Sequence, residues 1–374
     1  MVTLMLTENM KKCNHCGHQN PNDAAFCANC GKQLPKSSWL DSLNDYLGNN
    51  KPADLNWKVL FSDVLKKHTK EEAEEIFICG TSKTTPDMAG VSKDWPHPWL
   101  YSRVLLMFLS AFGLLWLCCS VFGNMNALPG MIVVGSFAVP LSTMILFLEV
   151  NAWRNVSMYE VIQTFLVGGC ASLVVTLFLF SIYSVDELDF LGAIVVGLVE
   201  EIGKMIIVYV FLRRLCKLSI LTGMLVGASV GAGFAAFESA GYALQPLIQF
   251  MQYAGYAAAY GQQTDGTLML DQINNIIFLR AFLAPGGHVA WAAISGAAIV
   301  IAAKARGAIT TDLLTEKKFL RLFIIPVILH ALWDCPLAAI GADIFLAPIS
   351  LLIFVWIVVL ILINMGLAEV SNRK

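Results

Sequence analysis

The stretch "GLVEEIGKMIIV", residues 197–208, decides how the rest of the chain is read. The run around it, Phe190 to Leu212, is long and apolar enough to cross a bilayer, yet Glu200, Glu201 and Lys204 sit near its centre. A charge at that depth costs about 2.5–3.5 kcal/mol on insertion scales. Three of them in one span need partners or a wet cavity. Glu200 and Lys204 are four residues apart and share one helix face, while Glu201 points about 100° away. A buried ion pair that only holds the helix is the plain reading. The sharper one is a functional site inside the membrane.

Composition supports a membrane protein. Of 374 residues, 57% are hydrophobic and 14% charged, against about 25% charged in an average soluble domain. The net charge of −2 gives no strong pull toward polyanions, and no nucleic acid partner is expected. The first hundred residues are polar, so no secretory signal is expected and the first span does its own targeting. At about 20 residues per span, eight candidates appear: Val104–Phe122, Met131–Leu148, Val161–Tyr183, Phe190–Leu212, Leu218–Leu244, Ala281–Ala303, Leu322–Ile340 and Ile344–Leu362.

Positive residues collect on the cytoplasmic side of membrane proteins. Arg103, Arg154, the Arg213–Arg214–Lys217 group, the group from Lys304 to Arg321, and Arg373–Lys374 alternate with neutral or acidic loops such as "VDELD". Arg280, at the mouth of the sixth span, is the exception. Both termini are therefore expected in the cytoplasm. The loop from Gln245 to Arg280 is long, and "PLIQFMQYAGYAAAYG" within it reads as a re-entrant or interfacial segment, or as an ordered loop packed on the bundle.

Near the N-terminus, "CNHCGHQNPNDAAFCANCGKQL" places Cys13, Cys16, Cys27 and Cys30 in two C-x2-C turns ten residues apart. Four thiolates give zinc a closed tetrahedral site. Gly17 and Gly31 follow the cysteine pairs as knuckle glycines. His15 and His18 read as exposed bystanders that could substitute as ligands. Reduced thiolates fit the cytoplasm, where the ribbon is a structural or docking module for another protein. The other cysteines are scattered, and no disulfide framework is suggested. Residues 56–80 carry apolar positions at helical spacing, with "KKHTKEEAEE" as a solvated face. Trp95, Trp99 and Tyr101 read as an aromatic anchor at the interface.

The whole is an all-α polytopic fold of about eight transmembrane helices. Its parts are a zinc ribbon (11–34), a cytoplasmic linker region with short helices (35–102) and an eight-helix membrane domain (103–366). The internal charges fall on the fourth to seventh spans. "GFAAFESAGY" carries Phe234 and, one turn on, Glu238. "RAFLAPGGHVAWAAISG" carries Arg280, His288 and Gly296. "HALWD" puts His330 and Asp334 on one face, so a carboxylate can orient an imidazole. Gly223, Gly227 and Gly231 form a stripe for close helix approach. Acids and histidines gathered in an apolar bundle can activate a water, hold a metal or bind an oxyanion.

These motifs, "EEIGK", "FAAFE", Arg280–His288–Gly296 at eightfold spacing and "HALWD", resemble in order and placement the motif set of the PrsW intramembrane proteases, distant relatives of the CAAX prenyl endopeptidases. The likeness covers about residues 100–365. It implies peptide hydrolysis, with Glu200 and Glu201 supplying the general base. Glu238, His288 and His330 complete the site, Asp334 supports His330, and Lys204, Phe234 and Arg280 are supporting residues. It also implies a single-pass membrane substrate resembling an anti-sigma factor, cut near the outer face. The family is classed with metallopeptidases, whereas the prenyl endopeptidases suggest a glutamate-activated water without metal. There is no HExxH, but a second zinc site at His288, His330 and Glu238 would have enough ligands. An ion-coupled transporter is the competing reading, since the same residue types make proton relays, but no inverted repeat is evident. A non-catalytic scaffold is the third.

Overall fold

The computed structural model describes residues 10–13, 15–21, 24–34, 39–49, 55–87, 90–92, 94–185, 187–336, 343 and 346–372. The expected span ends at Ile340 and Ile344, and the terminal Arg373 and Lys374, lie outside these residues. The chain divides into two compact units, residues 1–54 and 55–374. The division falls after Asp54, so the later part of the expected linker packs with the helical bundle.

The first unit is a zinc-ribbon fold. Strands β1 (Met10–Lys12) and β2 (Gln19–Pro21) pair antiparallel, an isolated bridge joins Phe26 to Gln33, and helix α1 (Trp39–Tyr46) follows. Gly17 and Gly31 have φ of 75° and 67°, which other residues rarely adopt. Their N–H groups donate to the Cys13 and Cys27 carbonyls.

The second unit opens with a 3-10 turn, Trp57–Phe61, and helix α2 (Lys70–Phe77). The single helical pattern read across residues 56–80 is thus broken. A capping box between Thr69 and Glu72 starts α2 afresh. Trp99 is not an interfacial anchor: it is buried and stacks face to face on His68 at 3.8 Å.

The bundle contains α3 (Leu100–Ser120), α4 (Leu128–Val150), α5 (Met158–Gln163), α6 (Gly169–Ile182), α7 (Phe190–Leu212), α8 (Ile220–Ala259), α9 (Thr267–Leu283), α10 (His288–Arg306), α11 (Lys317–Asp334) and α12 (Leu346–Asn372). A π turn, Thr164–Gly168, joins α5 to α6. Among the described residues, six helices are long and apolar enough to cross a membrane: α3, α4, the α5–α6 run, α8, the α9–α10 run and α12. α7 and α11 are not among them, because they carry charged residues.

Two expectations about the outer segment are corrected. Residues 245–280 are not one long loop but a helical segment packed on the bundle: α8 continues through Pro246 to Ala259, and α9 returns along it. Ala243, Met269, Ile273 and Ile277 share an apolar cluster with Phe112 and Met131, which gives the return helix its reason to form. The sixth span is likewise two helices. A 3-10 turn at Ala284–Gly286 separates them, so Arg280 lies on α9 and His288 begins α10.

Small residues bring the polar helices together. A Cβ at Gly231 would strike the His288 carbonyl, one at Gly227 that of Ala292, and one at Gly223 that of Gly296. α8 and α10 therefore touch backbone to backbone. Gly197 does the same for α7 and α11, facing the Ala331 backbone. That contact levels Glu201, one turn on, with His330.

Candidate active site

Glu201 is fully buried. Its Oε1 lies 2.7 Å from Lys204 Nζ and 2.9 Å from His330 Nδ1. Glu200 Oε2 lies 3.7 Å from Lys204 Nζ, so the tight pair is Glu201–Lys204 rather than the i, i+4 pair the spacing suggests. Lys204, also fully buried, reaches across to α10 and donates to His288 Nδ1 at 2.7 Å. Its ammonium also lies 4.6 Å from the centre of the Phe234 ring.

These contacts fix the ring tautomers. With Nδ1 accepting from Lys204, His288 carries its proton on Nε2 and donates it to Glu238 Oε2 at 3.0 Å. Glu238 is also ion-paired with Arg280, which donates from Nε to Ser239 Oγ at 2.8 Å. His330 donates from Nδ1 to Glu201. Its Nε2 then faces Asp334 Oδ2 at 3.3 Å and Glu200 Oε2 at 3.6 Å. All nine residues named from the sequence, Glu200 to Asp334, thus lie in one connected network.

The network faces a cavity of about 340 Å³. Glu200, Glu238, Arg280, His288, His330 and Asp334 line it, together with Tyr242, Trp291 and Trp333. Glu201, Lys204 and Phe234 are not among its lining residues and stand behind it. Trp291 escaped the sequence reading. It is buried, stacks on His330 at 4.5 Å and presents its edge to His288 at 5.1 Å. A tryptophan three residues after His288 carries no signal of its own in an apolar helix.

The three ligating atoms that come within 4.8 Å of one another belong to Glu200, His288 and His330. Glu200 takes the place expected for Glu238, whose Oε2 is held by His288 and Arg280. Two histidines and a carboxylate suit a catalytic zinc. Glu200 Oε2 is buried and without a hydrogen-bond partner among the described residues, as a ligand oxygen deprived of its ion would be. The donor set therefore fits a metal, with Lys204 competing for the His288 Nδ1 lone pair.

In the ribbon, Cys13 Sγ lies 3.6 Å from Cys30 Sγ and Cys16 Sγ 3.5 Å from Cys27 Sγ. Zn–S bonds of about 2.3 Å make a tetrahedron with edges of about 3.8 Å, so the four thiols are already spaced for zinc. Burial alone would raise the Cys27 thiol, but the backbone N–H groups of Cys30 and Asn29 outweigh it and hold it well below the ordinary thiol value. That favours the thiolate that zinc takes. His15 and His18 are exposed and stand outside the four-cysteine group.

Residues 12–34 match the zinc-ribbon domain. No curated protein and no solved structure matches the chain. Residues 157–363, more than half of the chain and all of the buried polar network, match the PrsW family intramembrane metalloproteases. The chain is a multi-pass membrane peptidase that belongs to the PrsW family.

Proposed function

We propose that this peptidase cuts a membrane-anchored, single-pass protein resembling an anti-sigma factor, near the outer side of the bilayer, with a water activated by Glu200. The observation that carries this reading is the meeting of Glu200, Glu238, His288 and His330 on one cavity wall inside an apolar bundle. Glu200 takes a proton from the water as its oxygen attacks the scissile carbonyl, and returns that proton to the departing amine. His330, as an imidazolium whose Nδ1–H is held by Glu201, turns its Nε2–H to the developing oxyanion and stabilises it. Glu201 and Lys204 hold the two histidines in place from behind.

A zinc ion bound by Glu200, His288 and His330 would supply Lewis acidity to the water or the carbonyl. Glu238, the second cavity carboxylate beside His288, is the proton acceptor when Glu200 serves as a ligand.

The reading places eight helices across the membrane, counting α7 and α11 with the six apolar ones, since 23 residues of α7 span about 34 Å. Both termini then lie in the cytoplasm, where the ribbon docks a partner protein.

The test is cleavage of a single-span model substrate by protein reconstituted in vesicles. Glu200→Gln should abolish turnover while the protein keeps its melting profile. Wild-type turnover in that variant would sink the mechanism. Zinc content of the full chain beside a chain beginning at Leu55 tests the metal. Zinc persisting in the shorter chain, and lost on His330→Ala, would mean a metal in the membrane site.

A further inference from the structure

Beside the catalytic cavity lies a second, shallower space of about 460 Å³ between α8 and α9. Tyr242 borders both. The walls of the groove carry Gln245 and Gln249 from α8 and Gln272 and Asn275 from α9, and none of its lining residues is charged. All four amide side chains are exposed, and none makes a hydrogen bond among the described residues.

Placement and chemistry both point to a peptide. About 20 residues of helix cross the hydrocarbon core, so α8, entering at Ile220, reaches its outer edge shortly before Gln245. There a substrate chain leaves the lipid. A carboxamide donates and accepts, as a peptide group does. Gln245 and Gln249 stand one turn apart, about 6 Å along the helix, the length of about two residues of extended chain. From Glu238 to Gln249 is about 16 Å, or about five extended residues.

We propose that this groove is a substrate subsite that grips the extended extracytoplasmic segment by its backbone, about two to five residues outward of the scissile bond. The proposal rests on the proteolytic reading above and names the substrate class for it. A segment whose N–H and C=O groups are free can pair with the four amides. A helical continuation of the span has already used its own and is refused. With no charge in the groove, selection falls on local unfolding beside the span rather than on a side-chain sequence.

The probe is a synthetic single-span peptide with a ten-residue glycine–alanine–serine extension outside the membrane, its cleaved bond mapped by mass spectrometry. In Q245A/Q249A/Q272A/N275A, the KM for this peptide should rise about tenfold, with the loss on KM rather than kcat. N-methylation of the peptide two to five residues outward should weaken cleavage by wild type and cost the quadruple variant little more. An unchanged KM, or an N-methyl effect undiminished in the variant, would overturn the subsite. A benzoylphenylalanine photoprobe at position 249, in a Glu200→Gln background, separates the two readings. Crosslinking to the extension without wild-type cleavage would remove the protease and keep the peptide groove. Crosslinking no stronger than to an alanine–lysine helical extension would remove the groove whether or not the peptide is cut.

Discussion

Gly227→Ala should cripple the enzyme through one methyl group placed away from the chemistry. A Cβ at that position would sit 2.7 Å from the carbonyl carbon of Ala292 and 3.0 Å from the Cα of Ala293. The Ala292 carbonyl oxygen is nearer still, at 2.0 Å, and carbon and oxygen rest at about 3.3–3.6 Å, so α10 must retreat from α8 by about 1 Å or more. Both neighbours are backbone, and no side chain can rotate away. Overpacking of this kind costs about 1–3 kcal/mol. The movement matters more than the energy. His288 begins α10 one turn from Ala292, and its Nδ1 sits 2.7 Å from Lys204 Nζ on α7. A displacement of about 1 Å at a catalytic group can cost about a hundredfold in rate. The assay is cleavage of a single-span substrate in vesicles, with thermal unfolding of the same preparation. The expectation is a rate reduced about ten- to a hundredfold and a melting temperature lowered by several degrees. Gly255→Ala, where a Cβ meets nothing within 4 Å, is the control and should match wild type. Gly227→Ala with wild-type rate and melting temperature would refute the claim that this stripe sets the position of His288.

Lys204→Met should destabilise the fold by about 3–5 kcal/mol, because it leaves Glu201 charged and buried without its cation; adding Glu201→Gln should restore the melting temperature but not cleavage. Glu149 accepts from the N–H groups of Trp99, Leu100 and Tyr101 and so closes the start of α3, and Glu149→Ala should lose about 1–2 kcal/mol in denaturation. Cys27→Ser should reduce the zinc of the full chain by one ion, read by metal analysis. Asp63 is held below the ordinary carboxylate value by its hydrogen bond to Lys66, with Ser62 adding to it. A depressed carboxylate stabilises above its unfolded pKa and loses that contribution as pH falls, so Asp63→Asn should lower the melting temperature at neutral pH and match wild type in acid.

Much of the site was legible because charge in an apolar helix is a strong signal. Glu200, Glu201, Lys204, Glu238, His288, His330 and Asp334 each stand out against apolar neighbours, and the structure gathers them all. Which acid pairs with Lys204 was not legible. Spacing allows i, i+3 and i, i+4 alike, and the choice falls to His330, whose Nδ1 meets Glu201 from α11. The return helix α9 did leave a trace, since Met269, Ile273 and Ile277 repeat every four residues. Pro246 and the amides around it hid the trace, because both are ordinary marks of a loop. Pro246 lies inside α8, and the carbonyl that its missing N–H leaves free is that of Tyr242, a residue exposed at the surface where water can satisfy it.

The same charges also explain why spans and site cannot be read with one rule. α7 is as long as α4 and packed against the same bundle, yet Glu200, Glu201 and Lys204 remove it from the helices that qualify by composition. α11 is removed by Lys317, Lys318 and Arg321 at one end and Asp334 at the other. A helix that lends its side chains to hydrolysis has to surrender part of its lipid solubility, and it recovers that loss from neighbours rather than from lipid. Here the neighbours are Gly197 against Ala331, Lys204 against His288, and the buried ring of Trp291 over His330. α7 is the one of the two whose charges are buried, and replacing Glu200, Glu201 and Lys204 with apolar residues should improve its membrane propensity and abolish cleavage.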